Sequence, residues 1–147
     1  MMTTTRAFSA LLLLCAIAMP SFAANAATPA MQAVSHRIME KALATPKPET
    51  AKFLLEQAIV ADPANATAFA ALGDLYSKMK EPALSMKYYE IALTIDPINV
   101  KALAGAAHLD ISKGKTDEAK ANLVILKKAC PTCGETSELE AALSHSK

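Results

Sequence analysis

The sequence predicts an all-α protein: an α-solenoid of three tandem helix hairpins with a short C-terminal capping helix, preceded by a signal peptide. Three observations predict it. The stretches AIVADPANATAF (residues 58–69) and ALTIDPINVKAL (92–103) repeat Ala, Asp-Pro, Asn and Ala at a constant offset of 34 residues. Pro63, Pro97 and Pro131 stand at that same spacing. Between them the apolar residues recur at helical intervals, with no alternating β-branched run of the kind a strand requires.

The chain begins with Arg6 as its early charge, followed by an apolar stretch at 7–19, Pro20 and small residues. Ser21-Phe22-Ala23 and Ala24-Asn25-Ala26 both fit a signal-peptidase site. A transmembrane helix needs about 20 apolar residues, so this run is short for an anchor. Cys15 belongs to the apolar run, because Leu14 before it is too large for a lipoprotein site. The expected organisation is a signal peptide over 1–23 (with cleavage as late as 26), a linker over 24–31, hairpin units at 32–65, 66–99 and 100–133, and a cap and tail over 134–147. Such a leader implies a periplasmic or secreted protein with no membrane insertion after cleavage.

Removal of Arg6 with the leader leaves 14 basic residues against 14 acidic ones. The longest basic run is Lys127-Lys128. Phosphate binding draws on clustered positive charge, so nucleic acid is excluded as the expected partner.

In the middle unit Phe69, Leu72, Gly73 and Tyr76 share one helix face. Pro82 opens a second helix at a position where its missing N–H costs nothing. Ser85, Tyr89 and Ala92 form the stripe of that helix, and Asp96-Pro97 stops it, since the residue before a proline is pushed out of the α region. Phe69-x2-Leu72-Gly73-x2-Tyr76, Ser85-x3-Tyr89-x2-Ala92 and Pro97 together resemble a tetratricopeptide repeat (TPR), with Phe69 standing for tryptophan, Ser85 for alanine and Tyr89 for phenylalanine. The same frame moved onward gives Leu103, Ala106, Ala107, Ala119, Leu123 and Pro131, with Asp110 in an aromatic place and Leu126 in an alanine place. Moved back, it gives Ile38, Ala42, Ala51, Leu55, Ala58 and Pro63, with Ser35 and Met39 departing from the pattern. A single hairpin cannot bury its apolar face, and stacking about three of them can. Thr45-Pro46-Lys47-Pro48 turns the first hairpin and Lys113-Gly114-Lys115 the third, while Ser137-x-x-Glu140 reads as a capping box for the last helix.

The resemblance implies a non-enzymatic module that holds a peptide or helix of another protein on a concave face made by the first helix of each pair. Stacking makes residues 34 apart neighbours there. The expected rungs are Thr67 with Lys101; His36, Ala70 and Ala104; Glu40, Asp74 and His108; and Leu43, Ser77 and Ile111. TPR modules that clamp a C-terminal carboxylate need Lys, Asn and Arg on such rungs, and here Lys101 is the one match, with Glu40, Ala71 and Gly105 in other clamp places. Glu40 and Asp74 instead suggest a partner bearing Lys or Arg.

No catalytic constellation, cofactor motif or metal-ligand set is expected. The histidines are His36, His108 and His145, and the one conspicuous motif is Cys130-Pro131-Thr132-Cys133. Cysteines at i and i+3 of a turn lie within disulfide range, and an exported protein meets an oxidising compartment, so a structural disulfide is expected. The competing readings are a thiol oxidoreductase pair, an incomplete metal site, and free thiols at a helix N-terminus, since repeat register puts Cys133 where Asn65 and Asn99 begin helices. Accessory work in redox or cytochrome assembly is a further alternative.

Overall fold

The computed structural model describes residues 27–146; the signal peptide expected at 1–23 lies outside them. The described residues form seven helices and no strand: α1 (Pro29–Ala44), α2 (Pro48–Ala61), α3 (Ala66–Lys78), α4 (Pro82–Ile95), α5 (Val100–Ser112), α6 (Thr116–Ala129) and α7 (Gly134–His145). Consecutive helices pair as hairpins, and the pairs stack in chain order. None of these helices is long and apolar enough to cross a membrane. The first starts earlier than the expected unit boundary, because the Thr28 hydroxyl accepts from the Met31 N–H at 3.3 Å and Pro29 sets the first turn.

The repeated words of the sequence build the joints between hairpins. Asp62 and Asp96 end α2 and α4, and their carboxylates accept from the N–H groups of Ala64 (3.1 Å) and Ile98 (3.2 Å). Three residues on, Asn65 and Asn99 start the next helix by accepting from Ala68 N–H (3.0 Å) and Ala102 N–H (3.1 Å). Asp-Pro-x-Asn is thus a stop and a start in four residues. Within the second and third hairpins the turns contain Lys80 and Gly114, 34 residues apart and both at positive φ (62° and 74°).

The core runs through the middle of the stack. Tyr89 on α4 is buried, and its ring fits against Gly73 on α3 and Gly105 on α5. A Cβ on Gly73 would fall 2.5 Å from the ring, and one on Gly105 would fall 2.5 Å from the hydroxyl and nearer still to the ring. The Gly73 carbonyl also accepts from buried Ser85 at 2.8 Å, so the two helices of this hairpin lie close enough to bond directly. Tyr88 turns the other way and stacks on Tyr76, with ring centroids 5.2 Å apart and planes within 2°.

The outer units reach the same spacing by other means. Met39 occupies the place of Gly73 but is buried in a cluster with Leu55, which stands where the bulky Tyr89 would be. Ser35, in an aromatic place, is fully buried yet satisfied: it donates to the Ala58 carbonyl (2.7 Å) and accepts from Asn65 (2.8 Å). Asp110, in the place of Tyr76, is 7% exposed, and its carboxyl looks into a recess of about 440 Å³ that Lys113, Lys115, Glu90 and Glu118 also line. Burial pushes its pKa above the ordinary carboxylate value, with Lys115 pulling the other way.

The last helix begins at Gly134, three residues before the expected capping box. Ser137 therefore lies inside α7 and donates to the Gly134 carbonyl at 2.8 Å. Thr136, Leu139 and Leu143 pack toward α5 and α6 from the positions that Ala102, Gly105 and Leu109 hold one repeat earlier. The cap is the first helix of a fourth unit, and the Lys127–Glu140 ion pair joins it to α6.

Overpacking a close approach costs about 1–3 kcal/mol, so Gly105→Ala and Gly73→Ala should each lower the melting temperature, whereas Gly105→Ala in a Tyr89→Leu background should cost markedly less. A thermal double-mutant cycle without coupling would show that the ring does not set the helix spacing. For Asp110 the raised pKa means that ionisation is harder in the folded chain, so stability falls as pH climbs through its folded-state pKa. Asp110→Asn should then melt at or above wild type at neutral pH, with the difference shrinking below pH about 4, where the unfolded carboxyl is protonated too.

Candidate functional site

One cleft lies where α3, α5 and α7 face a common space. It measures about 450 Å³ and is lined by Asp74 and Ser77 from α3, by Lys101, Ala104, His108 and Ser112 from α5, and by Glu135 and Glu138 from α7. Gly105 and Leu109 form part of its floor with the edge of Tyr89. The Tyr89 hydroxyl donates to Asp74 Oδ1 at 2.7 Å, which fixes that carboxylate at the wall. Burial, then the bond to Asp74, keep the phenol protonated far above its ordinary range. Among the described residues no ion pair engages Asp74, Glu135, Glu138 or Lys101. Three carboxylates against one lysine leave the cleft negative.

Five of the eleven residues on the expected rungs meet here: Asp74, Ser77, Lys101, Ala104 and His108. His36 and Thr67 line a separate recess of about 480 Å³ with Gln32, Asn65 and Asp96, near the starts of the helices. Glu40 is exposed on α1 but does not line the cleft between α3, α5 and α7. Ile111 is half-buried against the core of the third hairpin. Ala70 is fully buried beside Tyr89, Ala92, Ala102 and Ala106, where no partner reaches it. The expected stripe had placed it one step too far toward solvent, since the close approach of α3 and α5 around Tyr89 covers it.

Glu135 and Glu138 were not anticipated, although a signal existed. Lys101 plus one repeat is Glu135, and Ala104 plus one repeat is Glu138. The rungs simply continue onto α7. Reading the capping box as the helix start broke the register at that point.

Cys130 and Cys133 are free thiols, so the structure lends no support to the expected disulfide. Cys133 is the N-cap residue of α7. Among the described residues no group of three or more His, Cys, Asp or Glu is arranged to hold a metal ion.

Residues 66–99 match the family model of the tetratricopeptide repeat. The middle hairpin thus matches a TPR unit along its length. None of the curated proteins compared matches the chain. Among solved structures the chain is similar to the TPR domain of Arabidopsis OM64, at 22% identity and a TM-score of 0.68 over 78% of this chain and 97% of that one. It is similar to the second TPR domain of human RPAP3, solved in complex with the HSP70 peptide SGPTIEEVD, at 24% identity and 0.65 over 80% and 98%. It also resembles the Yersinia enterocolitica type III secretion chaperone SycD in complex with a peptide of the translocator YopD, at 20% identity and 0.57 over 80% and 86%. These likenesses establish the fold of the whole described array as a TPR solenoid.

Proposed function

We propose that this TPR array is a protein-interaction module that holds a Lys- or Arg-bearing segment of a partner protein in the cleft between α3, α5 and α7. The observation that carries this reading is the charge of that cleft: Asp74, Glu135 and Glu138 around one open space, with Lys101 as the single lysine on its wall. Peptides occupy two of the similar structures, and the RPAP3 ligand SGPTIEEVD is acidic at its end. The wall here is itself acidic, so a segment of the opposite charge, bearing Lys or Arg, is the complementary ligand.

Charge alone supplies modest affinity. Solvent-exposed pairs contribute about 0.2–1 kcal/mol each and weaken with salt. Their larger effects are on partner choice and on the rate of encounter. Affinity must come from apolar and backbone contacts along the small-residue floor at Ala104 and Gly105, where a chain can approach closely. The module acts as an adaptor or scaffold and is not itself an enzyme in this reading. Its place is the periplasm or the exterior of a bacterial cell, which rests on the apolar leader at 7–19 and the small-residue sites after it.

Glu135→Lys with Glu138→Lys should weaken binding of a short Lys/Arg-bearing peptide at least tenfold in fluorescence anisotropy, while the melting temperature stays near wild type, because surface changes alter stability by about 0.5 kcal/mol at most. Equal binding by the folded double variant would move the site elsewhere. For the exported protein, N-terminal sequencing should find a start near Ala24 or Ala27; a start at Met1 or Met2 would refute export with cleavage.

A further inference from the structure

The third joint keeps the backbone of the other two and changes its chemistry. Where they read Asp62-Pro63-Ala64-Asn65 and Asp96-Pro97-Ile98-Asn99, it reads Cys130-Pro131-Thr132-Cys133. Cys130 ends α6 with its N–H on the Leu126 carbonyl at 2.8 Å, as Asp62 and Asp96 end α2 and α4 on Ala58 and Ala92. Cys133 takes the place of the capping asparagine. Capping does not explain this exchange, since thiols are not among the side chains preferred at a helix start, and neither cysteine belongs to a core cluster.

The two cysteines are also linked, the Cys133 thiol donating to the Cys130 carbonyl. Both are half-exposed, and Cys133 Sγ lies 3.1 Å from the Cys130 carbonyl oxygen and 3.4 Å from Thr136 Oγ1. Thr136 replaces the alanine found at this point of the other joints (Ala68, Ala102), and its buried hydroxyl donates to the Cys130 carbonyl at 2.6 Å. The Cys130 side chain, then Thr136, draws the Cys133 pKa below the usual thiol value, and Cys133 in turn raises that of Cys130. A thiolate at Cys133 would sit at the positive end of the α7 dipole.

We propose that Cys130 and Cys133 form a redox-active dithiol that exchanges with disulfide-bonded substrates, Cys133 attacking and Cys130 resolving. The Cys133 thiolate displaces one sulfur of the substrate disulfide, forming a mixed disulfide and releasing one substrate thiolate, which takes up a proton. Cys130, giving up its proton to solvent, then attacks Cys133 Sγ and releases the second substrate thiol. The dithiol is oxidised to a Cys130–Cys133 disulfide, and the substrate disulfide is reduced to two thiols. Closure ties the end of α6 to the start of α7, two residues before the cleft residue Glu135.

The test treats the reduced full-length chain with glutathione disulfide and follows each cysteine by peptide mass mapping, which keeps Cys15 apart. Wild type should lose both thiols of the pair, yield a peptide linking Cys130 to Cys133, and recover on reduction. Cys130→Ser should stop at a glutathione adduct on Cys133. Cys133→Asn, which restores the residue used at the other joints, should remain folded and form an adduct at Cys130 severalfold more slowly. Retention of both thiols by wild type in an oxidising glutathione buffer would overturn the proposal. So would equal adduct rates in the two single variants, with Cys133→Asn melting like wild type.

Discussion

The ring of Tyr89 is held between two glycines that belong to different hairpins. Gly73 lets α3 approach α4 within one unit, and Gly105 lets α5 approach α4 across the joint to the next. An aromatic side chain of this kind buries about 150–250 Å² and keeps its polar end for a partner. That end emerges at Asp74, on the wall of the cleft between α3, α5 and α7. Helix spacing within the unit, stacking between units and the placement of one binding carboxylate therefore follow from a single side chain. A Cβ at either glycine meets the ring rather than the end of a flexible chain, so neither position has a cheap way to give.

The neighbouring units show that this spacing is a volume requirement more than a requirement for glycine. Met39 with Leu55, Gly73 with Tyr89, and Ala107 with Leu123 occupy the same two places in successive hairpins. The smallest residue faces the largest, alanine faces leucine, and in the first hairpin two middle-sized residues face each other. Where Asp110 gives up the aromatic of the second unit, Leu126 replaces Ala92 at the other place and is fully buried. The polar replacements are accommodated by hydrogen-bond partners or by an open recess. Ser35 bonds to the Ala58 carbonyl and Asn65, and Asp110 opens onto its recess. No buried side-chain nitrogen or oxygen among the described residues lacks a hydrogen-bond partner.

This explains how much was legible. The hairpins, their joints and the buried stripe around Tyr89 could be read because proline, asparagine and glycine act through local backbone preferences that repeat with the period. Asp74, Lys101 and His108 could be placed on one cleft wall for the same reason, as stacking converts a sequence offset into proximity. Ala70 was misplaced because its burial depends on how far α5 closes over α3, a distance set by Gly105 and invisible to spacing alone. The start of α7 was misread because Ser137-x-x-Glu140 satisfies a capping pattern that the chain does not use; the helix continues the repeat register instead. A local motif lost to the tertiary fit of Leu139, whose burial under α5 and α6 fixes where the helix must run.

That fit also decides the character of the site. An array that stopped after α6 would leave Leu103, Ala107 and Leu126 without cover, and it would present Asp74, Lys101 and His108 with no acidic excess worth the name. Adding half a unit settles both matters, because a helix repeats its faces about every 3.6 residues. Thr136, Leu139 and Leu143 take the face toward the core, while Glu135 and Glu138, one residue before Thr136 and Leu139, fall on the adjoining face and line the cleft. The lid of the core is therefore also the wall of the groove. Changes that loosen α7 should be felt as lost stability and altered charge at once, and the joint before it carries Cys130 and Cys133 in place of aspartate and asparagine.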